Sequence, residues 1–329
     1  MAGTIEKIQT MLKRLLPLCF ILCVTISSAQ KKHIIYYPDG KIHIEYYTKN
    51  GLLNGIYSCY HENGQKKAEG SYFDNQRKGT WKVWDEKGTA RAERFFENSY
   101  DSKIIAAWDT AGVERKIKQL SNSKYVTVDP ALGYIPYYLV TEKEVAWAKR
   151  IWREITKDSA VNKPLFEDNR LFKLLMEGIR TNVITAYGDD EFRHALTYDS
   201  IKEFENSNVS AYRVKEDFFY NKTMNNSEYR IIGIGPVVKK SGKTKLQFWL
   251  YYPDIRGFLA KQKPEAYISE HITTYESIFY KRYFHSIIYK VSNVYDREIK
   301  DYKKGKDILT EAEMIEMNVI ENEFVFWYK

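Results

Sequence analysis

Between residues 34 and 115 the alternation of apolar and polar positions repeats every 24 residues. Glycines fall at Gly40, Gly64, Gly88 and Gly112, and aromatics at Tyr36, Tyr60, Trp84 and Trp108. Tyr57 and Trp81 keep the same spacing, as do Gly55 and Gly79, and Glu45, Glu69 and Glu93. Within one unit, Tyr57 to His61 reads as a short aromatic strand and Lys67 to Phe73 as the returning one. Asn63-Gly64 between them predicts a short hairpin turn, because both residues tolerate positive φ. Asp74-Asn75 with Lys78-Gly79 turns the chain into the next unit. A lone hairpin is marginal in water, so neighbouring units must stack to bury their rings. Tyr36, Tyr57, Tyr60, Trp81, Trp84 and Trp108 are therefore expected to form a core ladder, and they are the candidate interaction residues of this block.

Beyond residue 116 the pattern changes. Residues 116–140 read as a linker, punctuated by Ser121-Asn122-Ser123, Pro130 and Pro136. Thr141-Glu-Lys-Glu144 has the form of a capping box, with Val140 and Val145 as its hydrophobic staple. Val145, Ala148, Ile151, Trp152 and Ile155 follow at helical spacing and predict a helix. A second short helix is expected around Leu171, Phe172, Leu174 and Leu175, ending at Gly178. Val209 to Tyr220 and Tyr229 to Val238 are rich in β-branched and aromatic residues and predict strands. Ser241-Gly242-Lys243 turns into a further strand over Leu246 to Tyr252. Pro253 opens a short helix, Tyr275 to Phe284 forms another, and Thr310-Glu-Ala-Glu313 reads as a second capping box with a Leu309–Met314 staple. The fold class is α+β: a β-hairpin repeat meander, then an α+β domain with an antiparallel sheet flanked by helices.

The first residues follow a different grammar. Lys13 and Arg14 precede an apolar stretch, Leu15 to Ile26, that is short for a membrane span. Ser27-Ser28-Ala29 follows, which fits an export signal cut between Ala29 and Gln30. The expected organisation is a signal at 1–29, repeats at 30–115, a linker at 116–140 and the α+β domain at 141–329. Cys19 and Cys23 fall in the signal, and neither follows the small residue that a lipoprotein signal needs. Only Cys59 of the three cysteines would remain, so the mature chain has no internal disulfide. No later apolar run is long enough to span a membrane, and the expected compartment is the periplasm.

The formal net charge of +8 changes little, because Lys and Arg are interspersed with acids. A solvated mixed surface is expected, with no nucleic-acid partner. Candidate chemistry is sparse. Lys240-Ser-Gly-Lys-Thr244 echoes the end of a phosphate-binding loop, but Val237 stands where a glycine is required, so a polar turn is expected. Gly233-Ile-Gly235 runs into Pro236 without a third glycine, which favours a bulge or close strand packing over a dinucleotide site. Asp189-Asp190-Glu191 is acidic enough to attract a hard cation, yet three consecutive side chains rarely converge. No two of the six histidines have metal-site spacing. No catalytic residue, cofactor or metal site is expected.

Two stretches carry resemblances. Gly55-Ile-Tyr-Ser-Cys-Tyr-His-Glu-Asn-Gly-Gln65, Gly70-Ser-Tyr-Phe-Asp74 and Lys78-Gly-Thr-Trp81 resemble MORN-variant repeats over residues 34–115, which implies a β-meander used for binding. In the second block the matching stretches are Trp147 to Ile155, Asn162-Lys-Pro-Leu165, Leu171 to Gly178, Ile184 to Tyr187 and Asp190-Glu-Phe192. Glu216-Asp-Phe-Phe219, Tyr229 to Ile234, Leu246 to Tyr252, Arg256 and Tyr283 to Ser286 continue the series. In order and spacing these resemble the GldN/PorN family of gliding-motility and type IX secretion proteins over residues 140–329. Arg153, Tyr187, Asp190, Phe192, Arg230, Trp249 and Arg256 are the positions carried as family signatures. The resemblance implies a non-catalytic periplasmic subunit. It would assemble, in an oligomeric ring, with a GldK/PorK-type outer-membrane lipoprotein and other secretion-ring subunits. A MORN-type binding module for anionic lipid or peptide is the alternative.

Overall fold

The computed structural model describes residues 29–116, 126–240, 243–266 and 268–328. The apolar run of the export signal, Ser121 to Ser123 of the linker, and Ser241-Gly242 lie outside the described residues.

The repeat block is one antiparallel sheet of eight strands: β1 (Lys31–Tyr36), β2 (Ile42–Lys49), β3 (Leu52–Leu53), β4 (Gly55–Tyr60), β5 (Lys66–Phe73), β6 (Gln76–Trp84), β7 (Ala90–Asn98) and β8 (Asp101–Ala107). They lie side by side in chain order, with the short β3 paired to β2 alone. The turn after β4 differs from the expected two-residue form. Gly64 takes φ +85°, but Asn63 is not at positive φ; its Oδ1 accepts a hydrogen bond from Gln65 N at 2.9 Å. His61 N donates to Gln65 O, so the loop is longer than two residues and one left-handed glycine closes it. The tight turn with two positive φ values lies at the other end of the sheet, at Asp74 (φ 49°) and Asn75 (φ 64°), where Phe73 pairs with Gln76.

Each unit also carries a bulge that its pattern did not announce. The register shifts between Ile35 and Tyr36, Cys59 and Tyr60, and Val83 and Trp84. These shifts leave His43, Lys67 and Arg91 as extra residues on the returning strands. A bulged residue is re-aimed to the face its neighbours occupy.

The second block has a sheet in the order β11 (Ala195–Leu196), β10 (Ala186–Tyr187), β15 (Trp249–Tyr251), β13 (Asn226–Lys240), β12 (Val209–Asn221), β9 (Val145–Thr156), β16 (Ile287–Val291), with β14 (Lys243–Leu246) paired to β13. Helices α1 (Arg170–Arg180), α2 (Tyr252–Ala260) and α3 (Tyr275–Tyr280) pack on part of it and enclose Ile155, Phe172, Tyr212, Val214, Ile234 and Leu250. Helix α4 (Asp307–Asn322) packs on the rest, against Ile151, Phe218 and Ile288. The α+β class stands.

Several element expectations need correction. The Thr141–Glu144 box forms, with Thr141 N donating to Glu144 Oε2 at 2.7 Å, but it caps only the single turn Glu142–Glu144. The residues expected as a helix are strand β9. Ile151, Arg153 and Ile155 alternate toward the helices, and β9 is bonded along its length to β12 and over part of it to β16. Pairing on both edges outweighs helix propensity differences of a few tenths of a kcal/mol per residue. Helix α1 continues two residues past Gly178. A side chain there would meet Ile184 and Phe258 at 3.1–3.2 Å, so the glycine serves close packing. Helix α3 stops at Tyr280, short of Phe284. Thr310 to Glu313 lies inside α4, not at its start. Leu309 N already bonds to Lys306 O, so the helix begins upstream of the box, and Leu309 and Met314 are exposed, not stapled.

Candidate functional site

Helix α4 is apolar on two stripes. Ile308, Ala312, Ile315 and Val319 face the second sheet. Met317 and Ile320, continued by Phe324 and Trp327 beyond the helix, face the repeat sheet. A helix apolar on two sides is buried on both. The two blocks thus share a core, with α4 and the following residues held between two sheets.

The repeat sheet meets this segment with an aromatic face. Tyr57 and Trp81 are fully buried, with ring centroids 5.6 Å apart. Trp81 lies 6.0 Å from Phe324 and 6.4 Å from Trp327, and Phe96 lies 5.6 Å from Trp327. Gly70 makes room: a Cβ there would sit 2.0 Å from the Trp81 ring. Burial pushes the Cys59 thiol well above its ordinary range, which leaves it unreactive. The other ring column behaves differently. Tyr36 is 55% exposed and Tyr60, Trp84 and Trp108 are half-buried on the opposite face, so the expectation of a core ladder is corrected for that column. Period-2 alternation is the reason: each follows a core residue, such as Cys59, Val83 or Ala107.

The bulge residues clamp the C-terminal segment. His43 Nε2 lies 2.8 Å from Glu321 Oε2, and Lys67 Nζ donates to Glu321 Oε1 at 2.5 Å. Arg91 stacks 4.5 Å from the Tyr328 ring, and Arg115 Nη1 donates to Tyr328 O at 2.8 Å. These four basic residues are themselves 24 apart, a column the sequence reading missed although its spacing was visible. Burial alone would raise the Glu321 carboxyl, but the His43 hydrogen bond and Lys67 hold it below its ordinary range. Deeper in the seam, Arg77 pairs with the fully buried Glu323. Arg94 donates to Asn225 O and Oδ1 at 2.6 Å and stacks on Trp327 at 4.6 Å. The tight turns dock as well: Asn75 Nδ2 donates to Arg282 O at 3.0 Å and Gln76 Nε2 to Lys281 O at 2.8 Å.

Between the two sheets and α4 lies a cavity of about 630 Å³, lined by His33 and Tyr46 on one side, Phe218 and Tyr229 on another, and Glu313 and Glu316 of α4. Arg153 reaches its wall. Its Nε donates to the buried Glu216, and its Nη1 to Glu316 at 2.8 Å. Arg282 pairs with Glu216 from the other side. Burial would raise Glu216, but the Arg282 and Arg153 guanidiniums hold it low.

The remaining signature positions fall in two other places. Arg230 and Arg256 both lie against Tyr137, at 5.0 and 4.2 Å. Arg230 Nη1 also donates to Tyr138 O, and Arg256 pairs with Glu276, so they fasten residues 134–138 to the domain. Tyr187, Asp190, Phe192 and Trp249 gather near Gly233. Phe192 sits edge-on to Tyr187 at 5.6 Å, and a Cβ on Gly233 would meet Phe192 at 2.7 Å and Trp249 at 3.2 Å. Asp190 Oδ2 accepts from Trp152 Nε1 at 2.8 Å. The acidic triplet splits: Asp189 meets His194 at 2.6 Å, while Asp190 and Glu191 both lie against Lys215. Each signature side chain is committed to a packing contact, an ion pair or a hydrogen bond. Burial pushes the His285 ring below its ordinary range. Among the described residues no group of three or more His, Cys, Asp or Glu could hold a metal ion, and no helix is long and apolar enough to cross a membrane.

The MORN repeat variant model matches residues 30–50 and 53–74. The strand and bulge pattern continues past that match, through Arg91. No curated protein matches the chain. The model of the gliding motility associated protein GldN matches residues 140–328, and its span includes α4, Glu321, Glu323 and Trp327. With more than half of its residues in that match, the chain belongs to the GldN family.

Proposed function

We propose that this chain is a periplasmic structural subunit of a gliding-motility or type IX protein secretion complex, assembled as an oligomeric ring with a GldK/PorK-type outer-membrane lipoprotein. Family membership across residues 140–328 is the observation that carries this reading. The network of committed ion pairs supports it, because buried, mutually neutralising charges suit a rigid building block. The repeat block enters as part of that rigid body, since its inner face is filled by the family domain's own C-terminus. A ligand of the repeats, the alternative reading, would have to use another face. Envelope fractionation with in-cell photo-crosslinking tests the proposal. Cross-linkers belong at Val294 and Leu139, which are 96% and 88% exposed. A cross-link to an outer-membrane lipoprotein is expected. Recovery in the cytoplasm, or no envelope partner from either position, would overturn it.

A further inference from the structure

The outer face of the repeat sheet carries a row of rings that the fold does not use. Tyr36, Tyr60 and Trp84 end β1, β4 and β6, and Trp108 directly follows β8, so the rings fall on every second strand of the sheet. Among the described residues none of the four stacks on another ring, and neither hydroxyl nor indole N–H is hydrogen-bonded. Side chains of the neighbouring repeat take three of their main-chain carbonyls: Tyr37 OH donates to Tyr60 O at 2.6 Å, His61 Nε2 meets Trp84 O at 3.0 Å, and Arg91 Nε donates to Trp108 O at 3.2 Å. The backbone under Tyr60, Trp84 and Trp108 is therefore fixed by the neighbouring repeat, and each of the four rings keeps part of its surface exposed, Tyr36 most of all at 55%. Strands lie about 4.8 Å apart, so rings on alternate strands are about 10 Å apart. Facing them across the strands are Ile42, Lys66 and Ala90, none of which builds a wall over the row.

We propose that this row is a docking track for a single chain of β-linked sugars. In a β-1,4-linked chain every second pyranose turns the same face outward, at a repeat close to the ring spacing. Aromatic faces suit the C–H-rich faces of such sugars, and free indole N–H and phenol groups suit their hydroxyls. The charge pattern agrees. The acids beside the row are already neutralised by lysines on the same face: Glu45 by Lys32 at 2.9 Å, Glu93 by Lys82 at 3.2 Å, and Glu69 by Lys66. Acids already paired with lysines beside the row suit an uncharged polyhydroxylated polymer. The sheet's twist, about 20–25° per strand, makes the track fit a flexible single strand and not a flat crystalline surface.

The test is calorimetric titration of the full chain with β-1,4-linked N-acetylglucosamine oligomers. The hexamer, long enough to cross more than one ring, is expected to bind at least tenfold more tightly than the dimer. Trp84→Ala and Trp108→Ala should each weaken the hexamer at least tenfold at a temperature where circular dichroism shows both variants still folded. Crystalline chitin should not retain the protein. No hexamer binding, equal binding of dimer and hexamer, or binding unaffected by both variants would overturn the proposal. So would capture by anionic vesicles or self-association that the same variants abolish, because the row would then serve a different occupant.

Discussion

His43 Nε2 and Glu321 Oε2 lie 2.8 Å apart although 278 residues separate them in the chain. The second oxygen of Glu321 takes Lys67. One carboxylate of the GldN-like domain therefore closes two successive repeats, and both contacts exist because a bulge turns a basic side chain inward. Glu321→Gln leaves Lys67 half-buried without its counter-ion. The expected loss is about 1–3 kcal/mol in urea denaturation. Adding Lys67→Met should recover part of it, because the two sites are coupled. Strictly additive losses would show that the clamp contributes nothing.

The seam also predicts what a truncation does. Ending the chain after Asn322 removes Glu323, Phe324 and Trp327, which fill the aromatic face of the repeat sheet. Losing a buried aromatic costs about 3–5 kcal/mol, and two of them rival the whole stability of a domain. Arg77 and Arg94 would in addition lose Glu323 and Trp327. Limited proteolysis should then cut at the repeat turns around Gly64 and Asn75 while the α+β block persists. A cleavage pattern identical to the intact chain would mean that the repeats stand alone.

Much of the repeat block was legible because its signals are local. A glycine every 24 residues marks a turn wherever the sheet goes. The second block was harder. Val145 to Thr156 fits a helical apolar stripe as well as a strand's alternation, and only its pairing with β12 and β16 decides, from partners that lie far along the chain. The same limit hid the site. Met317, Ile320 and Phe324 advertise an apolar stripe without naming what covers it. His43, Lys67, Arg91 and Arg115 share the repeat spacing, but the inward aim of the first three depends on a bulge that no turn residue announces. The signature arginines were found as positions; their roles depended on carboxylates, Glu216 and Glu276, that become partners only in three dimensions.

Glu216 joins β12 to both Arg153 of β9 and Arg282 after α3. Glu216→Ala strands two guanidiniums in the interior and should cost about 3–5 kcal/mol, measured by chemical denaturation. Glu316 touches Arg153 as well but is partly exposed, so Glu316→Ala should cost about 1 kcal/mol or less. Equal effects would mean that burial of the cluster does not govern its strength.

Gly70 and Gly64 separate two uses of glycine within one repeat. At Gly64 an added Cβ meets nothing, but φ +85° strains any other residue, so Gly64→Ala should cost about 1 kcal/mol. At Gly70 the Cβ would enter the buried Trp81 ring, and overpacking of this kind costs about 1–3 kcal/mol. Trp81→Leu should partly rescue Gly70→Ala and leave Gly64→Ala unchanged, read as thermal midpoints. Rescue of both, or of neither, would reject the packing explanation.

The seam should also be acid-labile, in a window set by its carboxylates. Glu321 and Glu216 are both held below their ordinary range: burial opposes this in each, His43 and Lys67 overcome it at Glu321, and Arg282 and Arg153 at Glu216. A carboxyl with a depressed folded pKa binds fewer protons folded than unfolded across the acid range. Its stabilisation is therefore complete above the unfolded value of about 4.3 and is lost as pH falls through the lower folded value. Stability from these two groups should be flat between about pH 5 and 7 and decline below about pH 4. In Glu321→Gln the wild-type and variant curves should converge in acid, because the variant has already lost what low pH removes. Urea midpoints measured across that range decide the matter: a difference that stays constant down to pH 3 would mean that Glu321 acts through its shape and not through its charge.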